Sequence, residues 1–329
     1  MGITRMNKYL SKFIDKWLLM DLHRNRSKSF QFYKGTETPV SLDKLNSFYS
    51  TPPIPDVTFI QQDFLKDYSI GKYKFKSEIN SNGSSNDFST GNYYKTPSRE
   101  QNISVIFVHG WRMDSFNRIF DIYLNSFMEN KYNIYTFTLP HHFERSSENS
   151  LYNGEFMVSA NIDRTLLSLR QTISDLRAMI RYLKENNEKV ILIGISLGGF
   201  ITNLAAVVEE GIDVLISVMY ANSLAFSVWK SISGKYIKKD FDAHGFTYEE
   251  LKKYWAILVP SNFKPAIPKE NILLFSGIHD EYVLNEDTDN LWEAWDKPQR
   301  VLYPCGHAGI ALYKNEIRKK SLEFLRERL

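Results

Sequence analysis

Residues 189–200 read K-V-I-L-I-G-I-S-L-G-G-F. A run of β-branched and aliphatic residues stops at Gly194, Ser196 follows, and Leu197 opens a segment that continues Gly198, Gly199, Phe200, Ile201. The pattern predicts a buried strand that turns sharply into a helix, with a serine at the apex. A serine hydroxyl becomes a useful nucleophile only where it stands clear of its surroundings, within reach of a base and close to backbone N–H groups that can hold an oxyanion. A helix start at Leu197 offers such N–H groups, and Gly194 and Gly198 remove Cβ atoms where strand and helix backbones crowd. G-x-S-x-G alone is a weak signal, because a phosphate-cradling turn or a plain tight turn shares it.

Three further apolar runs end in residues that could do chemistry. Ile103 to Val108 ends in His109-Gly110-Trp111, Asn271 to Ser276 in Gly277-Ile278-His279-Asp280, and Arg300 to Tyr303 in Pro304-Cys305-Gly306-His307. In a mainly parallel sheet, ligands bind beyond the carboxyl ends of the strands. One edge of such a sheet would carry a serine, a carboxylate and a histidine in that chain order. Their conjunction says more than any one of them.

With these residues in place the sequence resembles the α/β-hydrolase superfamily from about Ile103 to the C-terminus. The H-G-x turn, the G-x-S-x-G elbow, G-x-x-D followed by Val283, and G-H after the final strand match in order and spacing. The segment L-P-H-H-F-E-R after Thr138 and the helix start S-A-N-I-D-R are similar to a poorly characterised bacterial subgroup. The resemblance implies Ser196 as nucleophile, His307 as general base and then acid, and Asp280 as the carboxylate that orients the imidazole. It implies an oxyanion hole formed by the backbone N–H groups of Leu197 and Trp111. Some members carry the acid one strand earlier, but here that strand ends in Tyr220-Ala221-Asn222-Ser223, which favours Asp280 over Glu281 or Asp287. His307 competes with His279, on the same turn as the acid, and with His141 and His142, which follow a strand too early. His109 reads as a structural turn residue. His141 and His142 are candidates to line the pocket, or a solvent-exposed pair. No zinc signature occurs, and Cys305 near His307 falls short of a metal site, so no metal or cofactor is expected.

The elements that must position these residues can be read around them. The first segment is amphipathic: at about 100° per residue, Ile3, Met6, Leu10, Phe13, Ile14, Trp17 and Leu18 share one arc, with Arg5, Lys8, Lys12, Asp15 and Lys16 opposite. Two readings follow. The apolar face docks on the main domain, or the basic helix, with Arg24, Arg26 and Lys28 beyond it, lies on an anionic membrane surface. Strand-like runs at Val57 to Phe64 and Tyr68 to Ile79 suit an antiparallel edge, and Asn80 to Asn92 reads as a mobile loop. From Ile103 strands and helices alternate, including a long helix in which Ile162, Leu166, Leu169, Ile173, Leu176, Ile180 and Leu183 form one stripe. The rhythm breaks at Asn222 to Pro268, where Trp229, Tyr236, Phe241, Phe246, Tyr248, Tyr254, Trp255 and Phe263 suggest either a lid over an apolar site or helical packing that completes the core.

The expected fold is therefore an α/β-hydrolase fold: a mostly parallel twisted sheet with helices on both faces and a helical lid insertion. The expected division is an N-terminal helical segment at 1–48, a core in two parts at 49–221 and 269–329, and the lid at 222–268. The chain has 329 residues, 43% of them hydrophobic, which is ample for this plan. Lys and Arg number 41 against 38 acidic residues, so nothing in the charge balance asks for nucleic acid. A single cysteine excludes an intrachain disulfide, and neither a spanning helix nor a secretory signal is visible, which reads as a cytoplasmic protein. The expected activity is hydrolysis of a small-molecule ester with an apolar acyl group. Thioesterase or peptidase chemistry would use the same residues, and a non-catalytic binding protein on the same fold is the alternative of a different class.

Overall fold

The computed structural model describes residues 7–329 apart from 36–37, 66, 81–84 and 98–101. In chain order the regular elements are α1 (Lys8–Arg26), α2 (Leu45–Phe48), β1 (Thr58–Leu65), β2 (Tyr68–Lys76), β3 (Phe88–Lys95), β4 (Ile103–Val108), α3 (Asn117–Glu129), β5 (Asn133–Phe137), α4 (Ile162–Glu185) and β6 (Lys189–Ile195). They continue as α5 (Leu197–Val208), β7 (Val214–Val218), α6 (Leu224–Lys230), α7 (Lys235–Ala243), α8 (Tyr248–Tyr254), β8 (Ile272–Gly277), α9 (Asn285–Ala294), β9 (Gln299–Tyr303) and α10 (Lys314–Arg326). The strands form one sheet in the order β1-β2-β3-β5-β4-β6-β7-β8-β9. From β5 to β9 all pairs are parallel, and β1 to β3 add an antiparallel edge.

The parallel strands are apolar on both faces because helices cover both. Side chains alternate in period two: Ile106, Val108, Leu192 and Leu215 pack with α4 and α5, while Val105, Phe107, Ile191 and Ile216 pack with α3 and α10. The stripe of α4 is buried from Ile162 to Leu183, and the Asn161 side chain caps the helix by accepting the Arg164 N–H at 2.9 Å. Right-handed crossovers of this kind bring the C-terminal ends of β4, β6, β8 and β9 to one edge.

Three expectations need correction. The N-terminal helix is rotated from the expected docking: Leu10, Phe13 and Trp17 are exposed, with Trp17 at 63%, as are Lys8 and Lys16, whereas Ser11 and Asp15 are completely buried and Ile14 packs against the core. Asp15 faces inward because backbone N–H groups at the sheet edge offer it partners, as described below; Ile3, Arg5 and Met6 lie outside the described residues. The stretch 80–92 is not all loop, since Phe88–Asn92 begins β3 and Asn86 is buried, its carbonyl accepting from Arg145 and Gln171. Finally, the aromatics of 222–268 pack largely among themselves and against the sheet, with Tyr236 against His23 of α1: Phe241 stacks on Phe246, Trp229 on Tyr248, and Trp255 is fully buried. No aromatic of that region faces the cavity next to Ser196; Leu224, Ser227, Val228, Ser233 and Gly234 do.

Candidate active site

β6 delivers Ser196 into a backbone conformation that L-residues avoid, φ 58° and ψ −118°. Holding it there costs on the order of 1–3 kcal/mol, so the surroundings must over-determine it. They do so by close packing. A Cβ on Gly198 would sit 2.1 Å from the Val108 carbonyl oxygen, so α5 can start this near β4 only with glycine at that position. The Ser196 N–H is held by the Val218 carbonyl at 2.9 Å.

The loops after β8 and β9 meet over this serine. His307 Nε2 lies 3.0 Å from Ser196 Oγ, and its Nδ1–H donates to Asp280 Oδ2 at 2.7 Å. The other Asp280 oxygen accepts the N–H groups of Tyr282 and Val283 at 2.8 and 2.9 Å, which fixes the carboxylate's direction. The Tyr282 ring stacks on the imidazole with centroids 4.7 Å apart. Burial pulls the His307 pKa down, but the Asp280 charge and its hydrogen bond, with Asp15 behind, reverse this and leave it above the ordinary imidazole value. Such a histidine can take a hydroxyl proton and keep it while a negative charge develops nearby.

Leu197 opens α5, so its N–H has no intrahelical acceptor, and the Trp111 N–H has no acceptor among the described residues. Both residues line a cavity of about 500 Å³ together with Ser196 and His307. Two free donors beside a serine are what a tetrahedral oxyanion requires.

The remaining sequence candidates fall elsewhere. His109 is buried, its Nδ1–H donating to the Gly110 carbonyl and its Nε2 accepting the Leu139 N–H at 3.1 Å, so it ties two loops together. Neither His141 nor His142 is among the residues lining the cavity. His142 is bonded to the Pro140 carbonyl and the Arg112 N–H, and burial lowers its pKa to about 4. His141 bonds Asn86 and Ser168, with its pKa lowered by burial to about 3. Arg145 of the same segment forms a buried ion pair with Asp175 at 2.9 Å. This stretch is scaffold. Of the rival acids, Asp287 accepts the Asn222 and Ser223 N–H groups, and Glu281 pairs with Lys12. Among the described residues no group of three or more His, Cys, Asp or Glu could hold a metal ion.

The site also holds a residue that sequence reasoning missed. Asp15 of α1 accepts the His307 N–H at 2.9 Å on one oxygen and the Ala308 N–H at 3.1 Å on the other. It thereby caps, from another element, the short 3-10 helix at Ala308–Tyr313 that His307 begins. A Cβ on Gly306 would sit 2.5 Å from the Asp15 carboxylate, so glycine there makes the approach possible. The Tyr282 hydroxyl donates to the Asp15 carbonyl at 2.9 Å, which joins helix, acid loop and base loop. Burial and the neighbouring Asp280 raise the Asp15 pKa against these bonds. The one signal in sequence was an acid standing alone among Lys8, Lys12 and Lys16.

Residues 105–311, more than half of the chain, match the Alpha/beta hydrolase family. The chain belongs to that family. Over 115 residues it is 45% identical to the uncharacterised protein YdjC of Bacillus subtilis (strain 168), a match spanning 35% of this chain and 99% of that one. Among solved structures it is similar to acetyl xylan esterase 1 from Thermoanaerobacterium sp. JW/SL YS485, with a TM-score of 0.64, 15% identity, and 93% and 98% of the two chains covered. It is similar to an acetyl xylan esterase from Paenibacillus sp. R4, with a TM-score of 0.65, 14% identity, and 94% and 99% covered. At these identities the likeness is one of fold.

Proposed function

We propose that this α/β hydrolase cleaves carboxylic esters through an acyl-enzyme on Ser196. The observation that carries the reading is the hydrogen-bonded line Ser196–His307–Asp280 opening on a cavity also lined by Leu197 and Trp111, whose backbone N–H groups are unengaged among the described residues. Ser196 Oγ attacks the ester carbonyl while His307 Nε2 takes its proton, and the carbonyl electron pair moves onto the oxygen held by the Leu197 and Trp111 N–H groups. Asp280 stabilises the imidazolium. Collapse expels the alcohol, which receives the proton from His307. Water then repeats the sequence with His307 as base and releases the acid. The fold neighbours include esterases and an acylaminoacyl peptidase, so paired ester and amide substrates, not the fold, decide between the two.

Leu18, Leu19, Met113, Ile122, Leu224 and Val228 give the cavity wall the apolar character that an acyl chain needs. In this reading 222–268 forms a cap between core parts 49–221 and 269–329, and α1, within the helical segment 1–48, closes the other side through Leu18, Leu19 and Arg26. Fluorophosphonate labelling mapped to Ser196, with hydrolysis of p-nitrophenyl esters of graded chain length, tests it. Labelling that depends on Ser196 and His307 is expected; a protein that neither labels nor turns over any ester sinks the proposal.

A second reading concerns location. No helix among the described residues is long and apolar enough to cross a membrane. Yet α1 exposes Tyr9, Leu10, Phe13, Trp17 and Met20 beside exposed Lys8 and Lys16. Apolar side chains flanked by lysines suit an anionic lipid surface, which co-sedimentation with anionic vesicles tests.

A further inference from the structure

The cavity holds a cation that has no counter-charge among the described residues. Arg26, the last residue of α1, is 3% exposed and lines the same cavity as Ser196 and His307. One guanidinium nitrogen donates to the Ser233 carbonyl at 2.6 Å, and the guanidinium carbon lies over the Trp111 ring, 3.8 Å from its centroid. Its Nε has no partner, and among the described residues no carboxylate pairs with it. Arg112 brings a charge of the same sign to this side of the cavity: its guanidinium lies 4.4 Å from the centroid of the Tyr152 ring that also faces Arg26. Burial, and then the Arg112 charge, lower the Arg26 pKa to about 9, and burial with Arg26 lowers that of His23 to about 4. Arg118 and Lys314 add cationic charge to the cavity wall, against Asp114 and Asp121, and Lys314 itself approaches Asp121 at 4.0 Å.

A buried cation is ordinarily paired, because removing it from water without a counter-charge is expensive. A stack on an indole, a carbonyl bond and the Tyr152 hydroxyl recover part of that cost, but none of them carries a full counter-charge. An anion arriving with the substrate would supply the rest, and guanidinium geometry suits carboxylate and phosphate oxygens equally. We propose that Arg26 is a specificity-determining residue that receives an anionic group of the substrate, so that the preferred ester is amphiphilic, with an apolar chain and a carboxylate or phosphate. This rests on the serine-hydrolase reading above. The anion would bind along the Trp111 side of the cavity, because Arg26 stacks on that ring.

Two matched substrate pairs separate the sources of the anion. Mono-p-nitrophenyl glutarate against p-nitrophenyl butyrate places the charge on the acyl side, and butyryl glycerol phosphate against monobutyrin places it on the alcohol side. The wild-type protein is expected to favour the charged member of at least one pair by tenfold or more in kcat/KM. Arg26→Met keeps an apolar stem against Trp111, and is expected to cut that ratio at least tenfold, mainly through KM, with Arg26→Lys between the two. Labelling by an uncharged alkyl fluorophosphonate checks that each variant retains its folded site. The inference is overturned if the wild type is indifferent to charge in both pairs, a result that needs no variant to fold. It is also overturned if Arg26→Met lowers charged and neutral members alike, which would leave Arg26 only a support for Trp111. A wild type that labels at Ser196 but ignores charge defeats this inference alone, whereas absence of labelling and turnover defeats the hydrolase reading and this one with it.

Discussion

Two helices reach the same cavity by different physics. α5 arrives through local sequence: β6 feeds directly into it, and Gly198 lets it start against β4 so that Ser196 stands at the turn. α1 arrives from the far end of the chain and is held by polar contacts, Asp15 to the His307 loop, Lys12 to Glu281 and Arg26 to Ser233. α5 is buried almost all round, whereas α1 leaves its largest apolar side chains in solvent. Continuous close packing fixes the first. A few charged and hydrogen-bonded anchors fix the second, and they fix its functional residues with it.

The contrast can be broken at the elbow with the largest effect. Gly198→Ala places a methyl group against the Val108 carbonyl, and should cost roughly 3 kcal/mol or more. Calorimetry should show a Tm lowered by several degrees, and Ser196 should lose fluorophosphonate reactivity; a stable, fully reactive variant would show that the packing is looser than described. On the other side, Asp15→Ala should lower kcat about 10–100-fold with little change in KM, because the histidine loop loses its anchor. Asp15→Asn retains an acceptor oxygen but removes a charge that raises the His307 pKa. The proposed mechanism needs neutral His307, so activity is expected above that pKa and is expected to be lost as pH falls through it. Without the Asp15 charge the pKa drops, and the acid limb of kcat/KM should move to lower pH. A purely structural Asp15 would leave that limb where it is. The smallest effect is expected at the exposed face of α1: Trp17→Ser should change unfolding free energy by no more than about 0.5 kcal/mol. The same change should weaken co-sedimentation with anionic vesicles while leaving hydrolysis of soluble esters intact. A large loss of stability would mean that Trp17 is packed after all.

Much of this was legible in the chain because the relevant signals were local. Ser196, Asp280 and His307 each follow an apolar run, and chain order with strand-end position made them candidates before any coordinate was known. The apolar runs also marked the parallel half of the sheet, since strands covered on both faces have no polar side. Tyr282, two residues beyond Asp280, was visible but carried no pattern that set it apart. The histidine pair at 141–142 read as pocket or surface and is neither, because its imidazoles satisfy a buried loop network built with Asn86, Ser168 and Arg112.

By itself, the sequence determined the elbow, the alternation of strands and helices, and the chemical types gathered at one sheet edge. These follow from side-chain periodicity and from glycine at a crowded turn, which neighbouring residues specify. Only the tertiary structure decided which face of α1 points inward. An amphipathic pattern assumes that the apolar face finds the core, but here the docking surface offers unpaired backbone N–H groups at His307 and Ala308, and a carboxylate satisfies them where a leucine could not. That choice carried Asp15 to the back of the histidine and Arg26 into the cavity, placements that depend on contacts 292 and 207 residues apart in the chain.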